Sequence, residues 1–380
     1  MRGLALFLTA VEMTLSAFAA EPVTVEQLRA VLARERESGE SALVARLSVL
    51  QLTEQLNSQE LARLKANLPG EKSRAALVSL ADASVFLDPP RAEIESRAAP
   101  DLAEQRQIAA RVVDYVARAS HKLPNFFATR TTMHFEDWPL GYQKKGMVAG
   151  RYIPPHLTRT TRSGITYRNG AEVLEASKSK KAKPEAMNSG LDVTGLFGPV
   201  MASVLMDSSR GKMKWSRWET GVHGTLAVFA FAVPLKGSNY KVKFCCVPGP
   251  ASRRLFSRIT AYHGEIAANP EDGTIARLTL IADLAEEDME SLAGDLEAGS
   301  PISRADIFVE YGPVEIGGKL YTCPVRSVAL SVAKAEIWVT DQYGRHEDLG
   351  PERLYINDMV FEDYHVFRSE ARILPYGVEP

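Results

Sequence analysis

The chain has 380 residues, 45% of them apolar and 24% charged, with a formal net charge of -2. That is room for two or three domains of about 100–200 residues each, and the composition excludes wholesale disorder. A charge so close to zero excludes a global attraction to nucleic acid or to an anionic membrane, so no nucleic-acid partner is expected.

Residues 1–19 differ from the rest. Arg2 supplies a basic start, Gly3 to Phe18 is mostly apolar, and Ala17-Phe18-Ala19 fits the small-x-small pattern ahead of Glu21-Pro22. This reads as a secretory signal peptide, with Glu12 interrupting its apolar stretch, and implies export to a periplasmic or extracellular setting. No later segment approaches the roughly 20 apolar residues of a membrane span.

Residues 20–88 form a helical region. Thr24 and Gln27 have the spacing of a capping box. Apolar stripes follow at steps of three and four: Leu28, Val31 and Leu32; Leu43, Leu47 and Leu50; Leu61, Leu64 and Leu68. Pro69-Gly70 breaks the run before a last helix carrying Ala76, Leu77, Leu80 and Val85. Three or four short amphipathic helices are expected, as a small bundle or as an arm that holds a partner such as an envelope protein. Asp88-Pro89-Pro90 ends them, and residues 89–101, rich in Pro, Ala and charge, read as a linker.

From residue 102 a third unit extends to 376. A helix over Leu102 to Ser120 places Ile108, Val112, Val113 and Val116 on one side. Strand-like runs then recur from Phe126 to Arg368 with no helical pattern between most of them, which favours an antiparallel meander. Gly317-Gly318 sits where a two-residue hairpin needs glycine. Ser177 to Glu185, SKSKKAKPE, is a basic loop. Gly195 to Gly211 is an apolar helix, with Phe197, Val200, Met201, Val204 and Leu205 on one face. That face either packs on the sheet or lines a cavity for a lipid, since methionine adapts to varied apolar shapes.

Residues His263 to Leu284, HGEIAANPEDGTIARLTLIADL, are a hairpin. Ala276, Leu278, Leu280, Ala282 and Leu284 alternate with Arg277, Thr279 and Asp283, which share their face with Ile275 and Ile281. Pro270 presets an early turn position, and Gly273 takes the positive φ that closes the loop.

A strand ending in Tyr-x-Gly-x-Ile, this Pro-x-x-Gly turn and the Ile-x-Arg-Leu-x-Leu that follows resemble an element of the half-barrel proteins, typified by periplasmic lipoprotein carriers and by periplasmic regulators of envelope-stress anti-sigma factors. The resemblance spans roughly residues 102–370. It implies a strongly curved antiparallel sheet wrapped around one or two helices, with an apolar concave side. Leu123 to Asp137 and Val360 to Ile373 resemble segments of uncharacterised secreted proteins from acidobacteria, which implies export and no particular activity.

Candidate chemistry is sparse. His263 with Glu265, and Asp363 with His365, are pairs two residues apart on strands; brought together they would suit a divalent metal. Lys212, Lys214, Trp215, Arg217 and Trp218 interleave bases with aromatics, a pattern that binds sugars, lipid headgroups or single strands; alternation puts the two tryptophans on opposite faces. Gly195 to Gly198 would offer an anion the start of a helix. One of Cys245 and Cys246 would bridge to Cys323, or all three are buried thiols. No nucleophile elbow or phosphate-binding glycine loop is present, and no cofactor is expected.

The expected fold is therefore α+β, a curved antiparallel half-barrel packed on one or two helices and preceded by a small helical region. The expected function is that of an exported non-enzymatic binding protein. It would hold an acyl chain, a lipoprotein or a protein partner in the concavity, through Phe197, Val200, Met201, Val204 and Leu205. An enzyme would instead bring His263 and His365 within a few ångströms of each other. A pure scaffold would expose the Leu28–Leu68 stripe.

Overall fold

The structure is a computed structural model that describes residues 20–35, 37–119, 123–144, 147–173, 190–208, 211–247, 254–284, 302–341 and 344–367. The chain starts with β1 (Glu21–Val23), α1 (Val25–Arg34), α2 (Glu40–Leu47), β2 (Leu50–Leu52), α3 (Ser58–Ala66) and α4 (Glu71–Asp82). Both halves of the capping box form at Thr24 and Gln27. β1 and β2 pair in parallel. The expected apolar stripes are buried, and the sheet covers them: Leu28, Leu43, Leu47, Leu61, Leu64 and Leu77 share one core with Phe135, Phe308, Val328, Leu330 and Ile356. The exposed stripe that a scaffold would show is thus absent. Each buried leucine contributes roughly 2 kcal/mol, so the burial shared by the helical layer and the sheet is comparable with a domain's net stability of about 5–15 kcal/mol.

The rest comprises α5 (Leu102–Ala119), β3 (Phe126–Trp138), β4 (Gln143–Lys144), β5 (Met147–Val148), β6 (Ile153–Arg168), β7 (Ala171–Val173), β8 (Gly190–Leu191) and α6 (Pro199–Ser208). It continues with β9 (Lys212–Gly221), β10 (Gly224–Val233), β11 (Lys241–Val247), β12 (Arg254–Ile259), β13 (Ala261–Ala268) and β14 (Ile275–Asp283). The last strands are β15 (Ile302–Ile316), β16 (Lys319–Asp341) and β17 (Gly344–Val366). Ten strands form one open sheet in the order β7-β6-β3-β17-β16-β15-β14-β13-β10-β9. Neighbours in it are antiparallel throughout. The protein is α+β with a large antiparallel sheet, as the strand-rich texture implied. A smaller sheet has the order β12-β11-β8.

The period-two pattern divides β14 between two layers. Leu278 and Leu280 join Phe197, Met201 and Val204 of the α6 segment and Val112 and Val116 of α5 in a second core. Arg277 and Thr279 point to the other face. The β13–β14 turn closes as its residues dictate, with the Gly273 N–H donating to the Asn269 carbonyl at 3.0 Å and Gly273 at φ 78°. Its tip lies against α5, where Arg111 Nη1 donates to the Pro270 carbonyl at 2.8 Å.

Cys323 is a free, buried thiol, so the expected bridge to it does not form. Cys245 is disulfide-bonded, and the side chain of Cys246 lies outside the described residues, as do residues 1–19 and the whole of the basic loop. Burial pushes the Cys323 thiol up to about 12, the behaviour of an inert core cysteine.

Beside the end of β3, burial pushes the Asp137 carboxyl up to about 6, against the backbone N–H of Leu354 and the charge of Arg353, which favour its ionised form. The native state therefore keeps this proton to higher pH than the unfolded chain, and the stability it contributes is lost as pH rises through about 6. Asp137→Asn has no such proton to lose. Urea unfolding should show the variant gaining up to roughly 3 kcal/mol on the parent between about pH 3 and about pH 8. A difference between the two proteins that does not change with pH would sink this.

Candidate ligand-binding cleft

The segment KMKWSRWETG of β9 does not alternate regularly. Val228 of β10 faces Arg217 and the next residue, Phe229, faces Trp215, so Ser216 is an extra residue in a β-bulge. One inserted residue reverses the faces beyond it. Trp215 and Trp218 therefore fall on the same side, with ring centroids 4.7 Å apart, rather than on opposite sides as the sequence implied. Trp218 and Phe229 pack with Ile108 of α5 in a third core. The bulge also brings Lys212, Lys214, Arg217 and Glu219 to the opposite face, which the α1–α4 layer partly covers.

A cleft of about 540 Å³ opens there, between the chain just after α4 and strands β9, β10, β13 and β14. Val85, Phe86 and Leu87 form its roof, Ala230, Ala232 and Gly264 its floor, and Ile281 one side. Asp88, Lys212, Lys214, Arg217, Glu265 and Arg277 supply its charge, with His263 beside them.

Most of that charge is paired. Arg217 grips Glu265 through both terminal nitrogens at 2.6 and 2.8 Å and reaches Glu219 at 3.1 Å. Arg277 grips Glu219 at 2.5 and 2.9 Å. Burial works against the Glu219 carboxylate, but Arg277 and Arg217 overcome it and hold its pKa below the usual range. Arg277 also lines a second cavity of about 510 Å³, bounded by Asn57, Ser58, Glu93 and Glu310.

Residues 89–101, read as a linker, are laid along the sheet edge. The Glu95 N–H donates to the Trp218 carbonyl at 3.2 Å, the Trp218 indole to Ala98 at 2.9 Å, and Thr225 to the Glu95 carboxylate at 2.8 Å. Arg97 stacks over the Trp218 ring at 4.4 Å. The segment thereby covers part of an edge strand that would otherwise present unpaired backbone.

The other candidates lie elsewhere. Phe197, Met201 and Val204 are buried, and Val200 and Leu205 pack against the same core. Phe197 meets Phe126 and Phe361 edge-on, with centroids 5.3 and 5.6 Å away. None of the three cavities described in this section is lined by them. The anion seat at Gly195–Gly198 is taken from within: the Glu172 carboxylate accepts from the backbone N–H groups of Gly195, Leu196 and Phe197.

His263 pairs with Asp283 at 2.8 Å, and Asp363 with Arg162 at 2.8 Å. Asp363, at φ 54° on a bulge of β17, and His365 line a third cavity of about 450 Å³ with Phe127, Gly164 and Thr166. Strands β14, β15 and β16 lie between β13 and β17, which separates the two histidine pairs by roughly 19 Å along the sheet. The two imidazoles do not converge, contrary to what an enzyme of that kind needs. Among the described residues no group of three or more His, Cys, Asp or Glu is placed to hold a metal.

Sequence reasoning singled out Lys212, Lys214, Arg217, His263 and Glu265 but missed Val85–Asp88, Ala230 and Ala232. Nothing in a Val-Phe-Leu run after a helix announces which strands it will face. No protein-family model matches this chain, and no curated protein matches it. No helix among the described residues is long and apolar enough to cross a membrane.

Proposed function

We propose that this chain is an exported, non-enzymatic binding protein that holds an apolar ligand, an acyl chain or an acylated protein, in the cleft between its helical layer and its sheet. The cleft carries the reading. Its volume of about 540 Å³ falls within the range of roughly 300–1,000 Å³ typical of small-molecule sites. Its roof and floor are apolar, and Arg217, Arg277 and Glu265 are occupied in ion pairs. No serine or cysteine lines it, and its one hydroxyl, Thr279, accepts from the Glu265 N–H at 2.8 Å. The signal-like residues 1–19 support export.

We further propose that the sheet is a half-barrel curled towards this cleft. Arg277 on β14 reaches Glu219 on β9 across two intervening strands. In a flat sheet those backbones would stand roughly 14 Å apart, and side chains standing perpendicular to it would not meet. The layout thus supports the likeness to lipoprotein carriers, with the ligand seated on the face opposite α6.

The test is native mass spectrometry of the full chain, exported to a bacterial periplasm and purified without detergent. The expected result is a co-purifying mass of lipid size, lost in Ala230→Trp, which fills the floor of the cleft. Thermal unfolding confirms that the variant is folded, and Ala232→Trp, nearer the rim, repeats the test at an exposed position. A bare parent chain, or ligand retained in both folded variants, would overturn the proposal.

A further inference from the structure

Which end of a ligand the cleft would recognise follows from the charges left over. Of the basic side chains lining it, Arg217 is held by Glu265 and Glu219, Arg277 by Glu219, and the His263 ring by Asp283. Lys212 and Lys214 are exposed, and among the described residues neither side chain forms an ion pair or hydrogen bond. They are two residues apart on β9, ahead of the bulge, so both side chains rise from one face with their Cα atoms about 7 Å apart. Two lysines rooted at that spacing can bracket a single carboxylate or phosphate. The apolar surface of Ala230, Ala232, Phe86 and Leu87 begins beside them. An apolar trough with a cationic rim at one end matches a molecule with a chain at one end and an anion at the other.

We infer that the cleft takes single-chain anionic amphiphiles, with the carboxylate or phosphate head between Lys212 and Lys214 and the chain beneath Phe86. This rests on the binding reading above and adds the head group to it. Arg217 and Arg277 take no part in holding the head, because releasing Arg217 would strand Glu265 and releasing Arg277 would leave the buried Glu219 with a single contact at 3.1 Å. The site is therefore a two-lysine site, and its affinity falls as salt rises, as expected of exposed charges.

The experiment is isothermal titration of the delipidated full chain with four probes: laurate, dodecyl phosphate, neutral monolaurin and inorganic phosphate. Laurate and dodecyl phosphate are expected to bind about tenfold tighter than monolaurin. The Lys212→Gln/Lys214→Gln double variant should weaken both anions by about tenfold or more, the cost of losing one charge-assisted contact, and leave monolaurin unchanged. Lys212→Arg/Lys214→Arg should restore most of the loss. Inorganic phosphate should bind far more weakly than dodecyl phosphate. Equal affinity for laurate and monolaurin, or a double variant without effect, overturns the inference while leaving the binding protein standing. Inorganic phosphate binding as tightly as dodecyl phosphate overturns it in favour of a small-anion site. If none of the three amphiphiles binds, the proposed function itself fails with it.

Discussion

Arg326→Met is expected to destabilise the protein by about 3–5 kcal/mol near neutral pH, the usual cost of removing one partner from a buried ionic group. Arg326 of β16 donates to Asp82 at the end of α4, to Asp358 of β17 at 2.9 Å and to Ser58 of α3 at 2.7 Å. Ser58 in turn donates to Glu310 of β15. One guanidinium thus ties two helices of the outer layer to three strands. Burial and the charge of Asp358 push the Asp82 carboxyl well above its usual range, and Arg326 pulls it back. Without Arg326 only the weaker influence of the Lys65 charge opposes that upward push. A carboxyl whose folded pKa lies above its unfolded value stabilises at low pH and loses that contribution as pH rises, so the deficit of the variant should shrink as pH falls towards 4. Urea unfolding of the parent and the variant at about pH 5 and about pH 7.5 measures both effects. Asp82→Asn/Arg326→Met/Asp358→Asn, which removes every charge of the trio, should recover most of the loss. A single variant as stable as the parent at neutral pH would show that packing alone holds the helical layer. Because the cleft roof at Val85 to Leu87 follows Asp82 within five residues, the same variant should also bind ligand more weakly.

Gly273→Ala is expected to cost about 3 kcal/mol. Part of that is conformational, since Gly273 sits at φ 78°, where a Cβ costs roughly 1–2 kcal/mol. The larger part is tertiary: a Cβ there would lie 2.3 Å from the carbonyl carbon and oxygen of Arg111. Backbone in mid-helix cannot step aside, so the hairpin tip or α5 must move. Either movement disturbs two cores, because α5 contributes Val112 and Val116 to one and Ile108 to another. Arg111→Ala is the control. It removes the hydrogen bond to Pro270 but leaves the contact, and should cost no more than about 1 kcal/mol. If both variants unfold at the same denaturant concentration, close approach at Gly273 is not what matters.

The glycine shows how far local reasoning reaches. Asn-Pro-Glu-Asp-Gly between two alternating runs is readable as a hairpin because turn chemistry depends on neighbours in sequence. That the same glycine must also be bare because a helix 160 residues earlier in the chain lies across it has no sequence signal. The tryptophans of β9 mark the same boundary. Strict alternation separates Trp215 from Trp218, and one bulged residue at Ser216 reunites them and turns the lysines and Arg217 towards a common cleft. A bulge is decided by what the partner strand and the layer above can accommodate, which period-two reasoning does not contain. Likewise Glu172 occupies the helix start at Gly195–Phe197, a seat that looks open when only the glycines are read.

What the sequence determined by itself are the properties carried by short-range periodicity and turn geometry: helices up to residue 82, the capping box at Thr24, a long antiparallel strand series, the hairpins at Gly273 and Gly317-Gly318, and the apolar face of α6. The tertiary structure alone decided that the helical layer docks on the second face of the sheet, that residues 89–101 run along its β9 edge, and that the two histidine pairs stand apart. It also decided that the cleft gathers the end of α4 with strands β9, β10, β13 and β14. The reason is physical. Local conformation is set by contacts within a few residues, whereas which apolar faces cover one another, and which charges are left without a partner when they do, is settled when all the layers pack at once.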